Sequence, residues 1–462
     1  MMYELEDGNL KLISRSNSPK SFPLTTIYQK KIDEDHTLLI NTFRNKVLLV
    51  ENESIKDNMF ECDSSFENWF KTPFSDPKYF TLDTVYAGSL QKQENRIQIS
   101  LAITYACNLH CSYCFQQQYG GLVRKPITLE KLEVILGNIS KLQDENPGLE
   151  ISIGLFGGEP LLPKNEAIID RVFEYCVDHK IKVDITTNGI FLPYFAKKLI
   201  IHRSIISAIA ITVNTLPDTY KKIVRVTKVA NNTEKLLAVT EMLLNYGVVM
   251  DVGTNFDKTN LSDLVRMFEY FNDKGYFEKD NFCWNIGRVD NRFFDTDYDE
   301  NIVSETDILL ELMKIRDRVP DNLYAGFIQT CKNITDKLNL SFNERQLKGT
   351  YNYCWNVSPN EKVYYVDNEL NLFRCTVTVG RPQYILGNLK KFDLLNYQHE
   401  TKTFLDYRKC QLCHLGGFCS GGCKLSADVD FDRQCRWEKA EFEKFVDLIL
   451  VPEIKAKLEE LL

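Results

Sequence analysis

The sequence predicts an α/β protein built on a partial (β/α)6 TIM-type barrel, with a small α+β module ahead of it and a cysteine-rich domain behind it. Three observations predict this. Between residues 96 and 318, apolar runs of strand length alternate with amphipathic runs of helix length. The first 95 residues lack that alternation and carry two adjacent apolar runs instead. From residue 351 regular periodicity gives way to clustered cysteines, seven of them between Cys354 and Cys435.

Taken in order, residues 1–95 open with a polar lead, "SRSNSPKS". The runs "HTLLINTF" and "KVLLVEN" follow, joined by a short polar turn, and read as a strand hairpin. The mixed amphipathic segments "NESIKDNMFE" and "FENWFK" read as helices and complete the α+β module. "GSLQKQENR" is a polar linker. In residues 96–318 the strand runs are "IQISLAIT", "ISIGLFGG", "IKVDITTNG", "ISAIAITVN", "VVMDVGTNFD" and "NFCWNIGRV". Between them lie the helical runs "TLEKLEVILGNISKLQ", "NEAIIDRVFEYCVDH", "YFAKKLII", "TEKLLAVTEMLLNYG" and "LSDLVRMFEYFND". Apolar strands each followed by an amphipathic helix imply parallel β/α units with right-handed crossovers. In such barrels the site lies at the C-terminal strand ends. Residues 319–350 read as a helical connector, and residues 351–462 as a cysteine-rich domain ending in a charged amphipathic helix.

Composition narrows the function. A net charge of −8 argues against nonspecific nucleic-acid binding. No run approaches the ~20 apolar residues of a membrane helix, and no basic start leads into an apolar segment, so a cytoplasmic chain is expected. Fourteen cysteines in such a chain point to metal ligation rather than to a disulfide scaffold. Cys62, Cys176, Cys283 and Cys331 stand alone and are expected to be buried small hydrophobes.

The first strand run leads into "ITYACNLHCSYCFQQQYGG", in which Cys107, Cys111 and Cys114 have the spacing Cys-x3-Cys-x2-Cys. A structural zinc site takes four ligands. Iron–sulfur clusters are held by cysteine thiolates, and three thiolates on a four-iron cluster leave one iron open. This motif, with the aromatic Tyr113 inside it, resembles the signature of the radical S-adenosylmethionine (SAM) superfamily. The resemblance implies that Cys107, Cys111 and Cys114 hold a [4Fe-4S] cluster whose open iron takes SAM. "FGGEP" resembles the family's GGE motif, which implies that Gly157, Gly158 and Glu159 hold the SAM ammonium. By the same resemblance Asn188 and Asn214, at later strand ends, lie near the SAM ribose and carboxylate, and Arg225 pairs with the carboxylate. The stretch "NTLPDTYKKIVR" departs from the family pattern ahead of that arginine.

The C-terminal run "CQLCHLGGFCSGGC", with Cys435 following after eleven intervening residues, resembles the SPASM domain, an auxiliary-cluster module of peptide- and protein-modifying radical SAM enzymes. The resemblance implies two further [4Fe-4S] clusters, three in all. Cys410, Cys413, Cys419 and Cys435 would ligate the outer one, and Cys354, Cys375 and Cys423 the inner one. Leu370 stands where the family usually has glycine, and a further cysteine that several relatives carry after the first is absent. The inner cluster is thus left with three protein thiolates, and its fourth position is open to a substrate thiolate or is filled by another protein group or water. Cys-x2-Cys pairs also suit zinc ribbons. His414, inside the run, is expected to be exposed or hydrogen-bonded rather than a ligand.

The family's chemistry implies an external electron donor of ferredoxin or flavodoxin type, reductive cleavage of SAM, and hydrogen abstraction from the substrate by the 5′-deoxyadenosyl radical. A hairpin followed by helices ahead of the barrel resembles the leader-recognition domains of ribosomal-peptide maturases, which bind a leader peptide as an added strand. The expected activity is maturation of a precursor peptide, with thioether formation from a cysteine sulfur placed first. Carbon–carbon cross-linking, epimerisation and formylglycine generation of the sulfatase-maturase type are the alternatives, and a cluster-bearing electron-transfer protein is the non-enzymatic one. No Asp, Glu or Tyr stands out as a general base.

Overall fold

A computed structural model describes residues 2–6, 8–13, 19–76, 96–111, 113–116, 126–216, 233–289, 301–325, 338, 361–391, 394, 408–419 and 422–461. The N-terminal strands are β1 (Met2–Glu6), β2 (Asn9–Leu12), β3 (Pro19–Pro23), β4 (Tyr28–Lys31), β5 (His36–Asn41), β6 (Lys46–Glu51), β7 (Ile55–Lys56) and β8 (Met59–Asp63). They form an antiparallel sheet of order β2-β1-β6-β5-β4 and a smaller one of order β3-β8-β7. The hairpin read from "HTLLINTF" and "KVLLVEN" is β5 and β6, in register from His36↔Glu51 to Asn41↔Lys46. Its residues are apolar on both faces because both are covered. Leu38, Ile40, Val47 and Leu49 join the main core, while Leu39, Leu48 and Val50 pack on Phe22, Phe60, Trp69 and Phe70.

Of the segments expected to be helical, "NESIKDNMFE" becomes a single 3-10 turn, Asn52–Ser54, followed by β7 and β8, whereas "FENWFK" falls in a 3-10 helix, Ser64–Phe70; the described residues of the module hold no α-helix. The reason lies in "KDNM": Asp57 and Asn58 take left-handed backbone (φ 51° and 59°) and close a two-residue hairpin between β7 and β8. Asp63 then accepts a hydrogen bond from the Ser65 amide and starts the 3-10 turn.

The central region follows the expected alternation: β9 (Arg96–Thr104), α1 (Leu129–Glu145), β10 (Glu150–Gly157), α2 (Glu166–His179), β11 (Lys182–Thr187), α3 (Leu192–Ile201), β12 (Ile206–Thr212), α4 (Thr233–Asn245), β13 (Met250–Phe256), α5 (Leu264–Asp273), β14 (Phe282–Arg288), α6 (Glu305–Met313) and β15 (Leu323–Tyr324). Neighbouring strands from β9 to β15 pair in parallel. Alternation along each strand divides the sheet. Ile97, Ile99, Leu101 and Ile103 of β9 and Ile151, Ile153 and Leu155 of β10 point into the main core. Gln98, Asp184, Asp251 and Asn285 line the other face, where Gln98 bonds Asp184 and Asn285 bonds Asp251. β15 falls in the stretch expected to be a helical connector; residues 326–337 and 339–350 lie outside the described residues.

The cysteine-rich region is joined to this sheet. β16 (Glu361–Val366) pairs in parallel with β9, from Glu361↔Arg96 to Val366↔Leu101, and β17 (Asn371–Phe373) and β18 (Gly387–Asn388) continue antiparallel. The result is a mixed ten-stranded sheet in an α/β fold. Two single-turn helices, α7 (Arg408–Gln411) and α8 (Gly416–Cys419), precede α9 (Lys424–Phe445) and α10 (Val451–Leu461). Helix α9 is broken at Asp430 (φ −157°), whose carboxylate accepts from the Arg433 amide and caps the segment that follows. Phe442, Phe445, Ile449, Leu450 and Ile454 are fully buried where this helical arm crosses the molecule. Among the described residues no helix is long and apolar enough to cross a membrane.

Candidate functional site

Three strands end at the Cys107 loop, and glycine lets them meet. The Gly158 amide donates to Thr104 O (2.7 Å), and the Glu159 amide donates to Ala106 O (2.9 Å). A Cβ on Gly157 would run into Thr104 O, and one on Gly158 into Ala106 O. Gly157 also has φ +127°, a backbone that side-chain-bearing residues rarely adopt. The loop then turns back on itself, with the Leu109 amide donating to Cys107 Sγ (3.4 Å) and the Cys114 amide to Cys111 O (3.1 Å).

The Glu159 carboxylate is buried and accepts from the Leu161 amide (2.8 Å), Thr187 Oγ1 (2.6 Å) and the Asn188 amide (2.7 Å). It ties β10 to the end of β11. Burial pushes its pKa from the ordinary 4.5 up to about 7, against the three hydrogen bonds that pull it down. The folded chain therefore holds this proton at pH values where the unfolded chain has lost it. In the cluster-free protein this contribution to stability is full below about pH 4.5 and is lost as pH rises to about 7, roughly 3 kcal/mol in all. Denaturant titrations at pH 5 and 7 on wild type and Glu159→Gln should show that slope in wild type and its loss in the variant.

Asn188 lies against the cysteine loop. Its Nδ2 donates to Asn108 Oδ1 (2.8 Å) and sits 3.7 Å from Cys107 Sγ. Asn214 donates from Nδ2 to the Tyr113 hydroxyl (2.6 Å), and its Oδ1 accepts from the Asn255 amide (2.9 Å). Both asparagines thus reach the loop, through Asn108 and Tyr113. The sequence reading missed Asn260, whose buried amide donates to Asn214 O (2.8 Å) and Asn255 O (3.1 Å) and positions the end of β12. Arg225 lies outside the described residues.

The three thiols are coupled. Burial pushes Cys111 up to about 11, and the neighbouring Cys114 and Cys107 add to it; Cys107 is raised by the same burial. Cys107 and Cys111 therefore favour the protonated thiol in the absence of a cation, and bound iron reverses that preference. Among the described residues no three His, Cys, Asp or Glu side chains converge on a single metal ion. A four-iron cluster asks for less convergence, because each thiolate binds its own iron. The donor set and the glycine cradle beside it fit such a cluster.

The radical SAM superfamily model matches residues 101–271, from β9 into α5. This region of the chain carries a radical SAM domain. The chain is 30% identical over 163 residues to the GTP 3',8-cyclase of Clostridium acetobutylicum (34% of this chain, 48% of that protein). It is 32% identical over 162 residues to a probable GTP 3',8-cyclase of Methanococcus maripaludis (34% and 50%). The chain spans about half the length of these curated relatives. Among solved structures it resembles anSMEcpe with bound AdoMet and Cp18Cys peptide, at TM-score 0.56 and 16% identity over 79% of this chain and 99% of that one. It also resembles Streptococcus suis SuiB bound to precursor peptide SuiA, at TM-score 0.51 and 14% identity over 89% and 97%. At these identities the likeness is one of fold.

Of the C-terminal cysteines, Cys410, Cys413 and Cys435 lie near one another. Cys410 is pushed up to about 11 by burial, then by Cys435 and Cys413, and Cys413 acts likewise on Cys435. Three of the four thiols expected on the outer cluster are thus neighbours. Cys419 ends α8, its amide donating to Leu415 O (3.0 Å). Cys423 caps α9, Cys375 follows β17, and Cys354 lies outside the described residues. Every cysteine among the described residues is a free thiol. Cys62, Cys176 and Cys283 are buried as expected, and Cys331 is outside the described residues. The His414 ring packs on Tyr28 with centroids 5.4 Å apart, and burial lowers its pKa. Leu370 has φ 66°, the left-handed backbone that favours the family's glycine.

Proposed function

We propose that this radical SAM enzyme is a peptide maturase with a SPASM-type auxiliary domain, and that it forms a thioether between a cysteine sulfur and a carbon of a precursor peptide. The observation that carries the reading is the neighbouring set Cys410, Cys413 and Cys435 in a domain whose strand β16 lies against β9, the strand that delivers Cys107. Fold likeness to one protein solved with a Cp18Cys peptide and another with its precursor peptide supports a peptide substrate.

When bound, the cluster and SAM would supply a 5′-deoxyadenosyl radical able to remove one hydrogen atom from an unactivated carbon; forming the carbon–sulfur bond then releases the thiol proton and one electron, which the auxiliary clusters would accept. Cys107, Cys111 and Cys114 would hold that cluster. Gly157, Gly158 and Glu159, with Tyr113, Asn188, Asn214 and Arg225, would bind and orient SAM. Cys410, Cys413, Cys419 and Cys435 would hold the outer auxiliary cluster. Cys354, Cys375 and Cys423 would hold an inner one with an iron open to a substrate thiolate, a soft ligand suited to it. That open position is what places thioether formation ahead of carbon–carbon cross-linking or formylglycine formation. The domain layout is residues 1–95, a barrel over 96–318, a connector over 319–350 and the auxiliary domain over 351–462, in a cytoplasmic protein served by a ferredoxin- or flavodoxin-type donor.

Intact mass tests the reading. A short cysteine-containing peptide encoded beside the gene is coexpressed anaerobically with the enzyme, and free thiols are then alkylated. Loss of two hydrogens per modified cysteine, with those thiols protected, is expected. The same loss with thiols still reactive would redirect the assignment to carbon–carbon bonds.

A further inference from the structure

Resting on the auxiliary-cluster reading above, we propose that the N-terminal β module is a clamp on the outer auxiliary cluster: the turn after β5 and the side chain of Tyr28 hold the Cys410–Cys419 ligand loop in its cluster-binding shape. In sequence the two are nearly four hundred residues apart, and the structure presses them together. Thr42 Oγ1 donates to His414 O (2.8 Å), in the gap between Cys413 and Cys419. A Cβ on Gly416 would stand 2.5 Å from both Phe43 Cζ and Cys410 O, and one on Gly417 would run into the Phe43 amide and the Thr42 carbonyl carbon. The two glycines are thus the places where the module's backbone and ring lie directly on the ligand loop.

The clamp is itself rigid. Asn41, fully buried, accepts through Oδ1 from the Phe43 (3.1 Å) and Arg44 (3.2 Å) amides and donates to Trp69 O and Lys71 O. On the flank, the Tyr28 ring meets His414 (5.4 Å) and stands edge-on to Phe442 (4.9 Å), which meets Phe418 (4.7 Å) beside Cys419. Lys30 pairs with Asp447 further along the same helical arm. Three of the expected outer ligands therefore lie on a glycine-bearing loop whose outer wall is the N-terminal module. A short loop ordered by its neighbours presents its thiolates together; one left to itself must be ordered by the iron at a conformational-entropy cost for every residue. Thr42, Phe43 and Tyr28 are positioning residues in this scheme, and none of them ligates iron.

The test uses the full chain with Cys107, Cys111 and Cys114 replaced by Ala, so that only auxiliary clusters contribute iron. Iron and labile sulfide are measured after anaerobic reconstitution and desalting, and iron loss to a chelator is followed with time. Gly417→Ala should roughly halve the retained iron, one of two clusters. Thr42→Val, which keeps shape and removes one hydrogen bond, should speed iron loss by about tenfold, as loss of an outer-shell partner does. Lys20→Ala, which breaks only the exposed pair with Glu67 in the same module, should change neither. Unchanged iron and unchanged chelation rate in both Gly417→Ala and Thr42→Val would overturn the clamp while leaving the auxiliary clusters standing. No iron in the parent three-alanine chain would overturn both.

Discussion

Replacing Cys107, Cys111 and Cys114 together with Ala is expected to reduce SAM cleavage under strong reductant to background, by more than about a hundredfold. The scale follows from what a lesser change does. Removing a residue that only supports a metal ligand costs about 10–100-fold in affinity or activity. Asn188→Ala, which takes away a side chain 3.7 Å from Cys107 Sγ and the bond to Asn108, should fall in that range. The alanine triple removes the ligands themselves. Its effect should exceed that range and appear first as lost iron, then as absent 5′-deoxyadenosine by chromatography. SAM cleavage persisting at the wild-type rate would mean that the Cys107 loop does not carry the cluster.

Arg288→Ala is expected to be strongly destabilising, by about 3–5 kcal/mol, because it removes one member of a buried ion pair. Arg288 ends β14, and its guanidinium lies 3.4 Å from the carboxylate of Glu305 at the start of α6, both side chains 3% exposed. It also stands 5.7 Å over the ring of Trp437 on α9. Around it the same junction is closed by Glu441, which accepts from the Thr306 amide and hydroxyl, and by Lys444 on Asp307. The arginine therefore joins the sheet, α6 and the C-terminal arm that carries Cys435. The double change Arg288→Met with Glu305→Gln should recover much of the loss, since it leaves no unpaired charge. Denaturant midpoints of the two variants decide this: equal destabilisation would mean that packing, rather than the orphaned charge, sets the cost.

Legibility differed between the parts of the chain for physical reasons. The β/α alternation from β9 to β14 was readable because each element's burial is set within its own span: strands run apolar, and helices show one apolar stripe. The loop thiols were readable because a short sequence spacing controls how a loop can present them. In the N-terminal module "NESIKDNMFE" was misread as helical because it satisfies an amphipathic pattern, while the turn at Asp57 and Asn58 decides in favour of a hairpin. That turn is a local signal, and a reader weighing it above periodicity would have found β7 and β8. β16 was hidden for another reason. Its partner β9 lies more than two hundred residues earlier, and nothing within residues 351–462 announces a parallel pairing with it.

The sequence by itself determined which residues are chemical. The cysteine spacings, the glycine pair at Gly157 and Gly158, and the asparagines at strand ends are all local features, and the chemistry of thiolate ligation needs no fold to be recognised. Only the tertiary structure decided what those residues face. Glu159 is a motif carboxylate in sequence, and only the fold adds that it braces the end of β11 through Thr187 and the Asn188 amide. Gly416 and Gly417 look like loop flexibility, yet the turn after β5 lies against them. A side chain's type fixes what it can bond, but its partners come from chain segments that meet only when the core closes, and burial and charge are set there.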